Sequence, residues 1–471
     1  MRKTKIICTL GPAVDNEDAL RTLIRTGMNG ARFNFSHGTH DSHRATFERL
    51  DRVRRELNAP VAAILDTKGP EIRVKKFAEG CAQLQEGASF ILCAEDVEGN
   101  SQRVSVTYPN LASELSVGDS ILLDDGLIEL EVTGTQGGET HCRVVTGGCL
   151  SNNKSINIPG VHVNLPAVTE RDADDLRLAA ELGFDWVAAS FIRSAADVEA
   201  VRRVLVESGA PDIRIIAKVE NREGLRNLEE ILDAADAVMV ARGDLGVEIP
   251  ACEVPVAQKR MVEGAVKRGK PVIIATQMLD SMIRNPRPTR AEVSDVANAI
   301  FEDASCVMLS GETASGKYPV EALETMVETI EAAEASLLHW DRFRRKSYGG
   351  NDSINEAITH ATCTTAQDLN AAAIVTMTLS GHTARMIARF RPGCPILAIT
   401  PNERVQRQLS ICWGVQAKHT DRTESTDVLL RKAADFARES GAAAIGDTVV
   451  ITAGIPLGET PSTNLIKAQV I

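Results

Sequence analysis

Arg214-Ile215-Ile216-Ala217-Lys218-Val219-Glu220 and, a helix further on, Ala237-Val238-Met239-Val240-Ala241-Arg242-Gly243-Asp244 decide the fold of this chain. Each is a short run of β-branched and other apolar residues, the composition of a strand covered on both faces. Glu223–Ala234 between them carries apolar residues at helical spacing, so the unit reads strand, helix, parallel strand. Side chains alternate along a strand, so Lys218 and Glu220 share a face. Both charges fall at the strand's C-terminal end, where parallel α/β folds gather their working residues.

Working outward, the same unit recurs. The strand candidates are Lys5–Leu10, Gly30–Phe35, Val61–Asp66, Trp186–Phe191, Arg214–Val219, Ala237–Ala241, Pro271–Thr276 and Cys306–Leu309. Helical stretches follow at Asn16–Thr26, Asp41–Leu57, Ala195–Glu207, Glu223–Ala234, Val256–Arg268, Arg290–Glu302 and Val320–Ala335. Gly183, Gly209 and Gly269 stand just past helix ends, and Ser294 and Asp295 read as a helix start. Eight parallel strands with covering helices is the count of a closed (β/α)8 TIM barrel.

The pattern breaks after the third strand. Residues 70–166 carry short alternating runs, Ser101–Val106, Ser120–Leu123, Ile128–Val132 and Cys142–Val145, punctuated by Asp125-Gly126 and Gly137-Gly138. We read an inserted small all-β lid domain over 70–166, with the barrel in 1–69 and 167–340. Residues 341–471 form a C-terminal α/β domain with helix 353–369, strand Ala372–Met377 and closing strands Thr448–Ala453 and Leu465–Val470.

Composition narrows the function. The 471 residues need more than one domain, and 44% hydrophobic with 25% charged residues suits a chain that buries a core. A net charge of −12, from 52 basic and 64 acidic residues, argues against a general nucleic-acid binder. Ten cysteines with no Cys-x-x-Cys pair indicate neither a zinc cage nor a disulfide framework and fit a reducing, cytoplasmic setting. The apolar run Ile6–Leu10 is too short for a signal peptide's core, and no stretch is apolar enough to span a bilayer.

The strand ends carry the chemistry. The second strand ends with Arg32, Asn34 and Ser36 on one face, and the third ends in Asp66-Thr67-Lys68-Gly69-Pro70-Glu71-Ile72-Arg73. The sixth ends in Arg242-Gly243-Asp244, the seventh in Thr276-Gln277 and the eighth in Ser310-Gly311-Glu312-Thr313. Glu220 and Asp244 form a hard oxygen pair that favours Mg2+ or Mn2+ and leaves positions for substrate oxygens. Lys218 beside them can neutralise a transferring phosphoryl group or an enolate oxygen. Any single strand end of this kind reads as a solvated loop; most of a barrel's ends in matching phase read as a site.

Ala31–Gly38, Leu65–Arg73, Ile216–Asn221, Met239–Ile249, Ala275–Met278 and Met308–Thr313 resemble the signature segments of pyruvate kinases, and the likeness runs from Lys3 into the final strand. The resemblance implies a barrel with an inserted small β-barrel lid and a C-terminal α/β domain with an open sheet. It implies transfer of the phosphoryl group of phosphoenolpyruvate to ADP, giving pyruvate and ATP, the last step of glycolysis. Lys218 then acts on the phosphoryl group and enolate with Arg32 assisting, and Glu220 and Asp244 hold Mg2+. The Gly243 amide and Thr276 hold the substrate carboxylate, and Thr276 delivers a proton through water. Asn34, Ser36, Asp66 and Thr67 resemble a K+ site, and Glu71 stands where K+-requiring members carry Glu. Arg73, His37 and Lys154 match nucleotide-side positions together with Asn34. The likeness also implies a homotetramer and an allosteric effector loop at Ser380, Thr383 and Arg385 facing 454–463. There Ile455, Pro456 and Glu459 replace the Trp and Arg of fructose-bisphosphate-activated animal members, so a sugar phosphate and AMP both stay open. Phe33 for Leu and Ser155 for Gly are smaller departures.

A metal-dependent pyruvate aldolase or lyase would share the carboxylate pair without needing Lys154 or K+ ligands. A silent binding protein would be expected to have lost Lys218, Glu220 or Asp244, and all are present. Gly311–Lys317 nearly spells a P-loop, but Tyr318 replaces the metal-binding hydroxyl, so we read a barrel loop. His40 and His43 read as a helix start, and Arg342–Lys346 as a solvated linker or an interdomain contact.

Overall fold

The computed structural model describes residues 1–345, 353–422, 425–455 and 463–471. Eight parallel strands close into a barrel: Lys5–Leu10, Gly30–Asn34, Ala62–Asp66, Trp186–Ala189, Arg214–Val219, Ala237–Ala241, Val272–Ala275 and Cys306–Leu309. Closure is complete because the first strand pairs with both the eighth and the second, Ile7 opposite Met308 and Gly30.

Alternation sorts the strand residues into two cores. Ile6, Cys8, Ala63, Leu65, Ala217, Val219, Val238 and Val240 face the helices, while Ile7, Ile64, Trp186, Ala188, Ile216, Met239, Ile273 and Met308 fill the interior. Ile411, from the C-terminal domain, joins that interior cluster fully buried and plugs the barrel floor. Burying such a side chain contributes about 1.5–3 kcal/mol.

The covering helices are cut by explicit caps. Asn16 starts Glu17–Thr26, Thr39 starts His40–Glu56 in a capping box, and Ser194 starts Ala195–Glu207. Three sequence expectations need correction. A helix at Glu170–Leu182, capped by Thr169 and ended by left-handed Gly183, went unassigned. Glu223–Ala234 is two helices meeting at Asn227, whose amide nitrogen donates to the Arg193 carbonyl at 2.8 Å. The helix expected at Arg290–Glu302 does start at Arg290, but Thr289 and Glu292 cap it, and Ser294 and Asp295 lie a turn inside it.

The insertion is a curled seven-stranded sheet and a two-stranded sheet of Cys81–Leu84 with Gly148–Ser151. The larger sheet's two edges meet at the antiparallel Val74–Val106 bridge, and its core is Val74, Phe90, Leu92, Val104, Ile121, Leu130 and Val144. The C-terminal sheet has five strands, four parallel and Leu465–Val470 antiparallel at one edge. Its Arg407 reaches the barrel's Asp185 at 2.8 Å, and Arg54 reaches the same buried carboxylate at 3.2 Å. Arg342 docks on the barrel too, donating to the Phe301 carbonyl at 2.9 Å and pairing with Asp303, so the interdomain reading holds at Arg342, whereas Arg344 pairs with Asp341 of its own helix; Lys346 lies outside the described residues. Among the described residues no helix is long and apolar enough to cross a membrane.

Candidate active site

The site continues the barrel's own alternation. Two positions beyond inward Ile7, Ile64, Ala188 and Ile216 stand Thr9, Asp66, Ser190 and Lys218, so the polar residues replace the apolar filling as the strands reach their C-terminal ends. Asp66, 1% exposed, is the hub: Arg32 Nε donates to its Oδ2 at 2.6 Å and Lys218 Nζ to its Oδ1 at 3.0 Å. Lys218 Nζ also lies 2.9 Å from Glu220 Oε1 and 2.6 Å from Ser190 Oγ. Arg32 Nη1 donates to Thr9 Oγ1 at 3.1 Å. Glu220 Oε2 accepts from the Phe191 amide at 2.6 Å, and Phe191 holds a φ of 57° that aims this amide.

Charge balance sets the protonation of this cluster. Burial works to raise the Asp66 carboxyl, but the charges of Arg32 and Lys218 outweigh it and hold the group below the usual carboxylate range. Burial opposes the Lys218 ammonium, and Asp66, Glu220 and Asp244 overcome that and raise it. Glu220 is raised, by burial first and by the neighbouring Asp244, against the pull of Lys218. One more positive charge would relieve that strain.

The seventh strand breaks the alternation. Ala275 faces inward, so Thr276 should face out, yet a φ of 68° turns it back toward the mouth. Its Oγ1 accepts from the Gly243 amide at 2.8 Å and donates to the Ala275 carbonyl at 2.6 Å. Arg242 locks the turn: Nη2 donates to the Thr276 carbonyl at 2.7 Å while Nη1 holds Asp295 at 2.7 Å. Arg242 is therefore a positioning residue for the Thr276 turn.

A cavity of about 1270 Å3 opens between these strand ends and the inserted domain. Gly243, Asp244 and Thr276 line the barrel side; Glu71, Arg73, Asp124 and Lys154 line the other. Arg73 pairs with Glu71 at 2.7 Å and Lys154 with Asp124 at 2.7 Å. Lys218, Arg32, Asn34, Ser36, His37, Asp66 and Thr67 are not on its wall. Lys218 and Glu220 instead sit just beneath it, within electrostatic reach of Asp244.

The residues fit a hard divalent ion. Among the described residues no group of three His, Cys, Asp or Glu is placed to hold a metal. Glu220 uses one lone pair on each oxygen, and the exposed Asp244 carboxylate has no protein hydrogen bond among the described residues. Mg2+ is commonly bound by one or two carboxylates with water and substrate oxygens filling the rest. Of the expected K+ ligands, Asn34 is opposite Asp66 in register, its Oδ1 accepting from the Ser36 amide at 3.2 Å, while Thr67 Oγ1 accepts from the Ser190 amide at 3.1 Å. One carboxylate among neutral oxygens suits a monovalent cation.

Other expected residues lie elsewhere. His37 is exposed, its carbonyl accepting from His43 Nε2 at 2.8 Å, and His43 stacks on Phe35 at 3.9 Å. Glu312 and Thr313 are buried and structural, Glu312 accepting from the Leu279 and Ser310 amides. Gly311–Ala314 is a single helical turn, the barrel loop expected there. In the C-terminal domain Thr383 Oγ1 meets Thr463 Oγ1 at 2.7 Å, joining the two loops expected to face each other. Among the described residues Arg385 does not join them: its Nη1 folds back to the Ser380 carbonyl at 3.1 Å, beside the barrel's Arg214. Pro456 and Glu459 lie outside the described residues. Ser190 and Thr9 were missed, although the inward alternation that found Lys218 names them as well.

Residues 1–323 match the family model "Pyruvate kinase, barrel domain" and residues 356–469 match "Pyruvate kinase, alpha/beta domain". The chain is 51% identical over its full length to the pyruvate kinase of Geobacillus stearothermophilus, covering 80% of that protein. It is 45% identical to that of Clostridium acetobutylicum, with both chains covered completely. A crystal structure of a pyruvate kinase from Cryptosporidium parvum superposes with a TM-score of 0.95 at 36% identity, over 100% of this chain and 96% of that one. Strand ends, inserted domain and sequence agree over the whole length: the chain belongs to the pyruvate kinase family of phosphotransferases.

Proposed function

We propose that this enzyme transfers the phosphoryl group of phosphoenolpyruvate to ADP, forming pyruvate and ATP. The observation that carries the reading is Lys218, an ammonium held between Asp66, Glu220 and Ser190 beneath the turn that presents Thr276 and Gly243. The bond from phosphorus to the enol oxygen breaks as a bond to the terminal phosphate oxygen of ADP forms. Lys218 and Arg32 neutralise charge on the moving phosphoryl group, and Lys218 steadies the enolate left behind. The Gly243 amide and the Thr276 hydroxyl orient the substrate carboxylate, and Thr276 relays a proton through water to the methylene carbon. Glu220 and Asp244 would hold Mg2+ or Mn2+, which supplies the positive charge that brings two anionic substrates together.

On the same reading Asn34, Ser36, Asp66 and Thr67 hold K+, with Glu71 marking K+ dependence, and Arg73, Lys154, Asn34 and His37 meet the nucleotide. The cavity wall that joins Gly243 and Thr276 to Arg73 and Lys154 supports this division of labour. Closing the inserted domain would exclude water from the transfer. We further propose a cytoplasmic homotetramer regulated by a phosphorylated effector at the loop of Ser380 and Thr383, with Arg385 released from its Ser380 contact. A coupled assay for ATP from phosphoenolpyruvate and ADP tests the core of this. ATP formed with Mg2+, and raised by K+, supports it. No ATP under any combination of ions, with cleavage of a pyruvate-derived carbon–carbon bond instead, would establish the aldolase or lyase reading in its place.

A further inference from the structure

The two-stranded sheet of the inserted domain carries chemistry that the phosphotransfer site does not use. Cys81–Leu84 pairs antiparallel with Gly148–Ser151, Cys81 opposite Ser151 and Gln83 opposite Cys149. Opposite residues share a face, and so do residues two apart, so Cys81, Gln83, Cys149 and Ser151 all lie on one side. That side faces solvent, whereas Ala82, Leu84 and Leu150 are buried against the inserted domain's core. Both cysteines are exposed and neither is in a disulfide. They are diagonal neighbours on adjacent strands, the one such exposed pair among the ten cysteines.

We propose that Cys81 and Cys149 form a reversible dithiol–disulfide site, oxidised by low-molecular-weight disulfides. The neighbouring Cys149 thiol pushes the Cys81 thiol up. Either exposed thiol, once deprotonated, serves as the attacking sulfur, here Cys149. Its thiolate displaces one thiolate from the small disulfide and leaves a mixed disulfide on Cys149. Cys81, on losing its proton, then attacks the Cys149 sulfur and expels the second small thiolate. The balance is two protein thiols and one small disulfide giving one protein disulfide and two small thiols.

Geometry makes the second step the demanding one. Diagonal partners lie at about 7–8 Å between Cα atoms, and a disulfide spans about 4.4–6.8 Å. The strands must shear slightly, which a sheet with only these two strands permits more readily than the seven-stranded one beside it. The shear is felt nearby, because Gly148–Ser151 runs into the turn that carries Lys154. Asn152 N donates to the Gly80 carbonyl at 3.3 Å and Asn153 N to the Lys75 carbonyl at 3.2 Å, so this turn is laced to the loop before Cys81. Any effect on nucleotide affinity rests on the reading of Lys154 given above; the bond itself does not.

The test uses the full-length enzyme and oxidised glutathione, read by peptide mass mapping without reduction. The expected product is one cross-linked peptide pair containing Cys81 and Cys149, two hydrogens lighter than the reduced pair and lost on adding dithiothreitol. In Cys81→Ser, Cys149 should accumulate a stable glutathione adduct. In Cys149→Ser, Cys81 should likewise hold a stable glutathione adduct with no cross-link. Glutathione on both cysteines of the wild type without the cross-link, or no reaction at either, would overturn the proposal. Because the readout is mass and not turnover, an inactive preparation or a failed nucleotide assignment does not change the result.

Discussion

The barrel mouth and the first strand–helix loop of the C-terminal domain are built from the same local grammar and end differently. In both, a buried parallel strand delivers polar residues at its C-terminal end, Lys218 and Glu220 in one, Ser380 and Thr383 in the other. In the barrel, closure aims the inward positions of several strands at one axis, and Arg32, Asp66, Ser190, Lys218 and Glu220 interlock within 2.6–3.4 Å. In the open sheet nothing forces convergence. Thr383 meets Thr463, but Arg385 turns away to its own loop carbonyl. A closed sheet makes a site out of strand phase alone, whereas an open sheet needs its loops to supply the geometry.

The comparison predicts a gradient of effects, steepest where side chains converge. Glu220→Gln keeps the shape but removes charge from a carboxylate that is 1% exposed. Turnover should fall by about 10²–10³, the cost of deleting one strong electrostatic contact in a closed site, and Mn2+ affinity should weaken in a titration by electron spin resonance. Wild-type affinity would remove Glu220 from the metal site.

Arg242→Lys tests the turn rather than the chemistry. A lysine cannot hold Asp295 and the Thr276 carbonyl at once. We expect kcat to drop about tenfold, of the order of 1.4 kcal/mol, with KM for ADP nearly unchanged; an unchanged kcat would show that Thr276 holds its φ without help.

Effects at the floor concern stability. Ile411→Ala empties the plug beneath the interior cluster and should cost about 2–5 kcal/mol in urea unfolding, with kcat of the folded fraction preserved. A loss of kcat instead would mean that the floor and mouth are coupled. Nearby, His339 rests close to Trp413, and burial with the charges of Lys3 and Arg342 lowers its pKa to about 4. The folded protein thus prefers the neutral ring. Stability from this residue is present above the unfolded pKa of about 6.5 and is lost as pH falls toward 4. His339→Gln should flatten that part of the stability–pH curve.

The smallest effect belongs to the open sheet. Thr383→Val should leave basal turnover within about twofold while changing the response to phosphorylated effectors, since it removes one hydroxyl contact worth about 1 kcal/mol. Equal loss of basal activity would erase the distinction between the two regions.

What the sequence made legible follows the same divide. The eight strands, Lys218, Glu220, Arg32 and Asp66 followed from alternation and strand ends, because closure turns phase into position. Thr276 facing the mouth did not follow from alternation: it depends on a φ of 68°, and only the family resemblance assigned it a role. Helix Glu170–Leu182 was hidden because it begins just past the insertion, where no preceding strand announced it, although Gly183 marked its end. The reversed Arg385 was unreadable because its partner is a backbone carbonyl of its own loop, which no residue pattern encodes.

Phosphoryl transfer by Lys218→Met is the most direct test of the proposed chemistry. That ammonium neutralises both Asp66 and Glu220 in the resting cluster, and the transfer needs its charge in transit. With saturating Mg2+ and K+, ATP formation should fall by at least about 10³ while circular dichroism and elution volume stay those of the wild type. Turnover within tenfold of wild type, in a variant that is demonstrably folded, would contradict the claim that this lysine carries the reaction.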